Sequence, residues 1–248
     1  MRLAISGTAS IGKSTLLRDM LKTWPNYTTP DISYRESIKK LNLPHSKQCT
    51  KESQWTILNH IVDTMQKHSD KTHIIYDRCT LDNLVYSMWA FEKQSSDIDE
   101  AFIEKCIPIV RESLKMLDII FFIPLTKVAP INIEANGMRE TDSVYISEID
   151  NIFKAFKLQY DLAGDSSPYF PKNDTPAIIE IFGNPEQRIA LLQQYLNATG
   201  DLHQSASSVF EDESFKQISD LLSQQQTALQ SEQFEKDIRS GVTKFLNK

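Results

Sequence analysis

One short segment near the start of the chain constrains its fold more than any other feature. The segment fits the pattern GxxxxGK[ST], in which the glycines let the backbone wrap closely around a phosphate group. A β-prone run at 2–6 precedes it, and apolar side chains at helical spacing follow it over 13–24. A loop of this kind between a strand and a helix is a phosphate-binding loop, called the P-loop below. It consists of Gly7, Thr8, Ala9, Ser10, Ile11, Gly12, Lys13, Ser14 and Thr15.

The residue types in the P-loop indicate a bound nucleotide together with Mg²⁺. Successive backbone N–H groups point toward the phosphates, and the helix that begins near Lys13 adds the positive end of its dipole. The Lys13 ammonium can reach the β- and γ-phosphates, and the Ser14 hydroxyl is the expected Mg²⁺ ligand. The loop alone does not choose between an ATPase motor, a GTPase switch and a kinase.

Strand-like runs alternate with helical patterns along most of the chain. This alternation predicts an α/β class, here the three-layer P-loop NTPase fold with a parallel sheet, over a domain at 1–197. A polar connection and two amphipathic segments follow and predict a helical C-terminal extension at 198–248 that packs on the main domain. The strand-like runs lie at 73–76, 118–124 and 177–182, the stretch 27–32 is expected to be a strand or a loop, and helical patterns lie at 51–67, 102–116 and 186–196. Thr50 is the expected N-cap of the helix at 51–67, and the apolar stripe of that helix consists of Trp55, Leu58, Ile61, Val62 and Met65.

Composition excludes several other classes of protein. The chain has 248 residues, of which 40% are apolar, so it can bury a sizeable core and is not disordered along its whole length. A net charge of −6 gives no general attraction to nucleic acid or to an anionic membrane. The 3 cysteines and 5 histidines have no metal-ligand spacing, and no apolar run is long enough to cross a bilayer. We expect a cytoplasmic protein without a membrane partner.

A second polar site follows the strand-like run 73–76. Asp77 and Arg78 come directly after it, and ligands of open α/β sheets bind at the carboxyl ends of the strands. The structural alternatives are a helix N-cap for Asp77 and a surface salt bridge for Arg78. Asp82 is better explained as a cap of the helix that begins near it. The chain lacks an NKxD motif for reading guanine, and a motor would more often carry Asp-Glu at the strand end, so a kinase is favoured.

The P-loop, the segment YDRCTLDNLVYS and the later segment NGMRETD together resemble the thymidylate kinase and nicotinamide riboside kinase group of P-loop kinases. The resemblance spans roughly residues 1–196 and identifies the domain at 1–197 as a P-loop kinase domain. It implies that Asp77 contacts a Mg²⁺-bound water or takes the proton of the acceptor hydroxyl. It also implies that Arg78 holds the acceptor or its phosphate. Ser14 and Asp77 are therefore the expected metal-binding residues.

Three further segments are candidates for the site. Arg139 lies in a glycine-punctuated polar loop that could close as a lid and bring its guanidinium onto the transferring phosphoryl group, the alternative being a solvated loop arginine. The run Tyr34-Arg35-Glu36 resembles the Arg-Glu-Pro acceptor segment of thymidylate kinases, with serine in place of proline, so Arg35 and Glu36 are candidate acceptor-binding residues. The run 183–185 stands where related kinases lay a loop on adenine.

These observations predict an ATP-dependent kinase that transfers the γ-phosphate to a nucleoside-like acceptor. The acceptor is either a free nucleoside or nucleotide, or 5-hydroxymethyluracil in DNA, the substrate of a bacteriophage enzyme of the same wider group. A DNA acceptor needs a basic groove, and its alternative is a solvated lysine face. The competing hypothesis is a nucleotide-binding ATPase regulator whose C-terminal helices bind a partner protein. The basic residues available for a groove are Lys39, Lys40, Lys47, Lys51 and Lys67 together with Arg35.

Overall fold

The computed structural model describes residues 1–31, 34–126, 140–163 and 167–203, without the side chains of Tyr34, Arg35 and Ser37. Among the described helices, none is both long and apolar enough to cross a lipid bilayer. The strands are β1 (Arg2–Ser6), β2 (Ile74–Asp77), β3 (Ile119–Phe122) and β4 (Ala177–Glu180). The helices are α1 (Lys13–Thr23), α2 (Tyr34–Lys40), α3 (Lys51–Lys67), α4 (Thr80–Lys93), α5 (Glu100–Leu114), α6 (Ser143–Ala163) and α7 (Pro185–Tyr195), with a short 3₁₀ helix at Ser46–Gln48.

These elements belong to two compact units. Unit 1 holds the sheet as far as Ile179 together with α2 to α5, and unit 2 holds the P-loop from Thr8 onward together with α1 and α7. Unit 1 contains Met1–Gly7, Tyr27–Phe122 and the described residues of Phe156–Ile179, and unit 2 contains Thr8–Asn26 and the described residues of Ile123–Ala155 and Glu180–Lys248.

The sheet of unit 1 has the strand order β2-β1-β3-β4. β1 pairs in parallel with β2, where Leu3 lies opposite Ile75 and Ile5 opposite Asp77, and in parallel with β3, where Leu3 lies opposite Ile119. The apolar residues of β1, β2 and β3 are buried, as a parallel sheet covered by helices requires. This parallel sheet with flanking helices confirms the predicted fold class. The predicted C-terminal extension lies outside the described residues from 204 onward.

The starts of two helices show how local sequence fixes the elements around the sheet. Thr50 is the predicted N-cap of α3, and its side chain accepts a hydrogen bond from the Ser53 backbone N–H in a capping box. The helix predicted to begin near Asp82 begins instead at Thr80. Cys79 is its N-cap, and the Asp82 carboxylate accepts a hydrogen bond from the Cys79 backbone N–H at 3.2 Å. Asp82 therefore caps α4 from within its first turn.

Two other expectations differ in detail from the structure. β2 begins and ends one residue later than predicted, so that Asp77 belongs to the strand itself. The stretch 27–32, expected to be a strand or a loop, contributes one isolated parallel bridge from Thr28 to Ile74 in its described part. On α3, Trp55 and Val62 of the predicted apolar stripe are half-buried.

In unit 2, α1 packs against α7. Trp24 is buried where α1 ends, and its Nε1 donates to the Asn197 carbonyl at 2.9 Å. The Asn26 amide donates to the Thr199 carbonyl at 2.7 Å. The chain after α7 is thus hydrogen-bonded to the residues that follow α1, which fixes the end of α1 opposite the P-loop.

Candidate functional site

Two glycines give the P-loop its backbone conformation. Gly7 has φ 141° and Gly12 has φ 89°, both in the region that side-chain-bearing residues avoid. Gly12 is the N-cap of α1, and within the described residues no side chain caps this helix and no acid occupies its first turn. The positive end of the α1 dipole thus meets no competing acid in its first turn, which favours an anion there.

Three hydrogen bonds within unit 2 anchor the P-loop from different elements. The Thr8 hydroxyl donates to the Ile146 carbonyl of α6 at 2.8 Å, and the Ser10 hydroxyl donates to the Glu140 carbonyl at 2.9 Å. The third bond comes from Arg188 of α7, whose Nη1 donates to the carbonyl of Ile11 at 2.9 Å. Two loop hydroxyls that donate to carbonyls outside the loop, and one guanidinium of α7 that donates to a loop carbonyl, thus hold the P-loop in place.

Lys13 and Ser14 stand at the first turn of α1 with different exposure. The Lys13 side chain is nearly buried, with 5% of the residue exposed, and its Nζ donates to the Thr8 carbonyl of the loop. Ser14 is exposed. The lysine is therefore already folded over the P-loop, and the serine is accessible to a ligand.

A buried acid that sequence reasoning missed also belongs to unit 2. Asp150 on α6 accepts from the Leu125 backbone N–H at 2.9 Å and forms an ion pair with Lys154 at 2.7 Å. Burial raises the pKa of this carboxyl, and the charges of Lys154 and Lys13 act in the opposite direction. The i, i+4 spacing from Asp150 to Lys154 is the sequence signal that could have revealed the pair.

In unit 1, Asp77 is the last residue of β2 and lies opposite Ile5 of β1. Arg78 follows with φ 91°, a conformation that costs a non-glycine residue about 1–2 kcal/mol. Its backbone N–H donates to the Ile5 carbonyl at 3.0 Å. The turn after β2 is therefore held in a strained conformation by the neighbouring strand, and strain of this kind is typical of functional sites.

The side chain of Arg78 is fixed by Asp82. Their ion pair measures 3.1 Å, with 10% of the arginine side chain and 2% of the aspartate side chain exposed. Asp82 also accepts from the Ser6 hydroxyl at 2.6 Å, and the Arg78 guanidinium lies 5.1 Å from the centroid of the Tyr86 ring. The alternative of a surface salt bridge is therefore wrong, because the pair is buried. Asp77 is likewise not the N-cap of α4, since Cys79 takes that position.

The remaining candidates divide between described and undescribed residues. Glu36 is exposed in the first turn of α2, whereas Arg35 lies in the same helix with its side chain outside the described residues. Arg139 lies outside the described residues altogether. Asn184 is the N-cap of α7, and its side chain accepts from the Gln187 N–H at 2.9 Å. The run 183–185 thus has a structural role at the start of α7.

The other titratable side chains of the described residues are candidate metal ligands or reactive thiols. Within the part of the chain that the structure describes, no group of three or more His, Cys, Asp or Glu side chains is arranged to hold a metal ion. The cysteines Cys49, Cys79 and Cys106 are buried. Burial is the main cause that raises the pKa of Cys79 to about 12, with the Asp82 charge acting in the same direction. Cys79 is therefore a packing residue.

A family model described as an AAA domain matches residues 2–160. The chain therefore belongs to the AAA domain family, whose matched region here includes the P-loop and the turn after β2. No curated protein matches the chain by sequence.

Two solved structures share the fold of this chain. The deoxyadenosine kinase from M. mycoides with its products dCMP and dCDP is 16% identical, covers 78% of this chain and 98% of its own, and has a TM-score of 0.52. The NadR protein in complex with NR is 16% identical with a TM-score of 0.51 over 71% of this chain. This chain spans 45% of that NadR chain. At such identities the likeness shows a P-loop kinase-like fold, in agreement with the predicted fold class.

Proposed function

We propose that this protein is an ATP-dependent P-loop kinase whose acceptor is a nucleoside-like molecule. The observation that carries the proposal is the strained Asp77-Arg78 turn at the carboxyl end of β2. β2 pairs directly with β1, the strand that leads into the P-loop at Gly7. A P-loop ATPase also uses a strand-end carboxylate, so the feature that suits a second substrate is the fixed Arg78 guanidinium that follows Asp77.

The roles of the P-loop residues follow from their positions. The loop amides and Lys13 bind the β- and γ-phosphates of ATP, since the start of α1 carries no competing acid in the described residues. Ser14, which is an exposed residue, and Asp77 are the proposed Mg²⁺ ligands, since hydroxyl and carboxylate oxygens are donors that Mg²⁺ prefers. Bound Mg²⁺ would neutralise charge on the phosphates during transfer.

The acceptor side of the reaction is assigned to unit 1. Asp77 orients the acceptor hydroxyl and takes its proton, directly or through a water on the metal. Arg78 binds the acceptor or its phosphate, and Asp82 presets the direction of its guanidinium. Arg35 and Glu36 are proposed acceptor contacts, and Arg139 is proposed to stabilise the charge that develops on the transferring phosphoryl group.

We further propose that the acceptor is a free nucleoside or nucleotide. The structures with this fold support that class, because one is a deoxyadenosine kinase with dCMP and dCDP and another holds NR. DNA that contains 5-hydroxymethyluracil is the acceptor to be tested against it.

The decisive experiment is transfer of ³²P from γ-labelled ATP with Mg²⁺ to a panel of nucleosides, nucleoside monophosphates, nicotinamide riboside and DNA with or without 5-hydroxymethyluracil. We expect one labelled small-molecule acceptor. Label on DNA would move the acceptor to the polymer. Free phosphate without a labelled acceptor would contradict the kinase and support the ATPase regulator.

Variants of the full chain separate the two halves of the proposal. Asp77→Asn should lower transfer by about 10²- to 10⁴-fold, the range of general base catalysis, and leave ATP binding largely intact. Lys13→Ala should weaken ATP binding itself. Asp63→Asn is the matched control, because Asp63 is an exposed aspartate of α3, and its activity should equal that of the wild type.

A further inference from the structure

We propose that Arg188 is a positioning residue of the P-loop and that the phosphates of the bound nucleotide neutralise its buried positive charge. The inference rests on the proposed function only in that the P-loop binds a nucleotide. It adds a residue of α7, far from the P-loop in sequence, to the nucleotide-binding machinery. Arg188 acts through the loop backbone and is not a catalytic residue.

The guanidinium of Arg188 lies against the backbone of the P-loop. Arg188 is 6% exposed, and its Nη1 donates to the Ile11 carbonyl at 2.9 Å. A Cβ atom added to Gly12 would come within 2.9 Å of the same Nη1. The arginine thus occupies the space on one side of Gly12, the residue whose left-handed conformation turns the loop into α1.

This arginine has no acidic partner within the described part of the chain. Its Nε is buried without a hydrogen-bond partner among the described residues. By contrast, Arg2 forms an ion pair with Asp118, and Arg78 forms one with Asp82. Burial lowers the pKa of Arg188, but a guanidinium stays charged at neutral pH. A buried charge without a counter-charge costs several kcal/mol, so its retention points to an anion that arrives with a ligand.

The P-loop is where such an anion binds. The Ile11 carbonyl that Arg188 holds immediately precedes Gly12 and the uncapped start of α1. Fixing this carbonyl also fixes the Gly12 N–H, which lies in the same planar peptide group and belongs to the phosphate-binding amides. The positive charge of the guanidinium also raises the potential at the loop. Both effects favour a bound polyphosphate and neither requires direct contact with it.

Binding and stability should therefore respond in opposite ways to loss of the charge. Arg188→Met keeps much of the side-chain volume and removes the charge and the donor. We expect the unliganded variant to melt no lower than the wild type, because it no longer buries an uncompensated charge. Its affinity for ATP should fall by about tenfold, the effect expected of a charge-assisted hydrogen bond. A merely structural arginine would give the reverse pattern.

The test measures thermal unfolding and binding by calorimetry for the wild type, Arg188→Met, Arg188→Lys and the control Arg18→Met. Arg18 is an exposed arginine on α1, and its variant should match the wild type throughout. The ligands are ATP, inorganic tripolyphosphate and adenosine. Arg188→Met should lose affinity for ATP and tripolyphosphate equally and keep any affinity for adenosine. Arg188→Lys retains the charge without the fork geometry of the guanidinium. Its affinity for tripolyphosphate should lie between those of the wild type and Arg188→Met.

Each outcome decides the proposal. If the wild type binds ATP and Arg188→Met binds it equally well, the inference fails while the proposed function stands. If the wild type does not bind ATP, the proposed function fails first. If unliganded Arg188→Met melts at a lower temperature than the wild type, the arginine belongs to the core and the inference is overturned. The inference is also overturned if a folded Arg188→Lys binds tripolyphosphate as tightly as the wild type.

Discussion

Each unit buries an arginine beside a loop: Arg78 in the turn after β2 of unit 1, and Arg188 against the P-loop of unit 2. The two arginines differ in whether a carboxylate balances the charge. In unit 1, Arg78 is paired with Asp82 at 3.1 Å, and that carboxylate is further held by the Ser6 hydroxyl. In unit 2, Arg188 donates to the Ile11 carbonyl and has no acidic partner within the described residues. The buried guanidinium thus has a counter-charge in unit 1 and none among the described residues in unit 2.

This difference separates stability from ligand binding. A buried pair is part of the folded structure, so removal of one partner leaves an uncompensated charge and the loss falls on the free energy of unfolding. A buried charge without a partner already carries that penalty in the unliganded protein. Removal of this unpaired charge should therefore lower the affinity for an anion and not the free energy of unfolding. Buried arginines near a site therefore have to be judged by their counter-charges as well as by their position.

The largest effect is expected from Asp82→Asn. The substitution leaves the Arg78 charge buried without a carboxylate and replaces an acceptor of the Ser6 hydroxyl by an amide. We expect the free energy of unfolding to fall by about 3 kcal/mol, as for other broken buried pairs. Urea unfolding followed by circular dichroism measures it.

A double variant distinguishes the charge from the packing around it. Asp82→Asn combined with Arg78→Met removes both charges, so it should be more stable than Asp82→Asn alone. Asp63→Asn provides the control for loss of an exposed aspartate and should be neutral. Wild-type stability of the single Asp82→Asn variant would show that the pair contributes nothing to the fold.

An intermediate effect is expected from Gly12→Ala in unit 2. The alanine would have to adopt φ 89°, and its Cβ would lie 2.9 Å from Arg188 Nη1. We expect a loss of about 2 kcal/mol in the free energy of unfolding, since left-handed backbone alone costs about 1–2 kcal/mol. In an Arg188→Met background the substitution should cost less, because the close contact with Nη1 is gone. Equal costs in both backgrounds would contradict the contact.

Local signals in the sequence were enough to place the P-loop and most elements around it. The GxxxxGK[ST] pattern, the apolar run that became β3 and the Thr50 cap of α3 all act over a few residues, and each is found where predicted. The position of Asp77 and Arg78 at the end of a buried strand was also readable, because strand ends are marked by the change from apolar to polar residues.

The contacts that orient the site side chains were not readable from local patterns. The bond from Arg188 to Ile11 joins residues 177 positions apart, and the bond from Ser6 to Asp82 joins residues 76 positions apart. Asp82 was correctly expected to cap a helix, but its ion pair with Arg78 depends on the left-handed turn at Arg78, which no residue preference predicts. Tertiary contacts of this kind follow from the fold and not from spacing.

The smallest effect concerns Cys79 of unit 1, whose Sγ lies 3.4 Å from the Ser6 hydroxyl and 3.8 Å from the Asp82 carboxylate. Burial raises the pKa of its thiol from 9.0 to about 12, so the unfolded chain releases this proton at lower pH than the folded protein. The corresponding stability is complete below pH 9 and is lost as the pH rises toward 12. Between pH 8 and pH 10 the thiol should account for about 1 kcal/mol of lost stability.

Cys79→Ala tests this contribution when urea unfolding is compared at the two pH values. The variant leaves a small cavity that lowers stability equally at both pH values, so the difference between them isolates the ionisation. We expect the variant to lose about 1 kcal/mol less than the wild type between pH 8 and pH 10. Cys106, whose thiol pKa burial raises to about 11, stays in place in both proteins and contributes equally to each. An identical loss in both proteins would mean that the Cys79 thiol is accessible to hydroxide in the folded state, and the cluster around Asp82 would then be open to solvent.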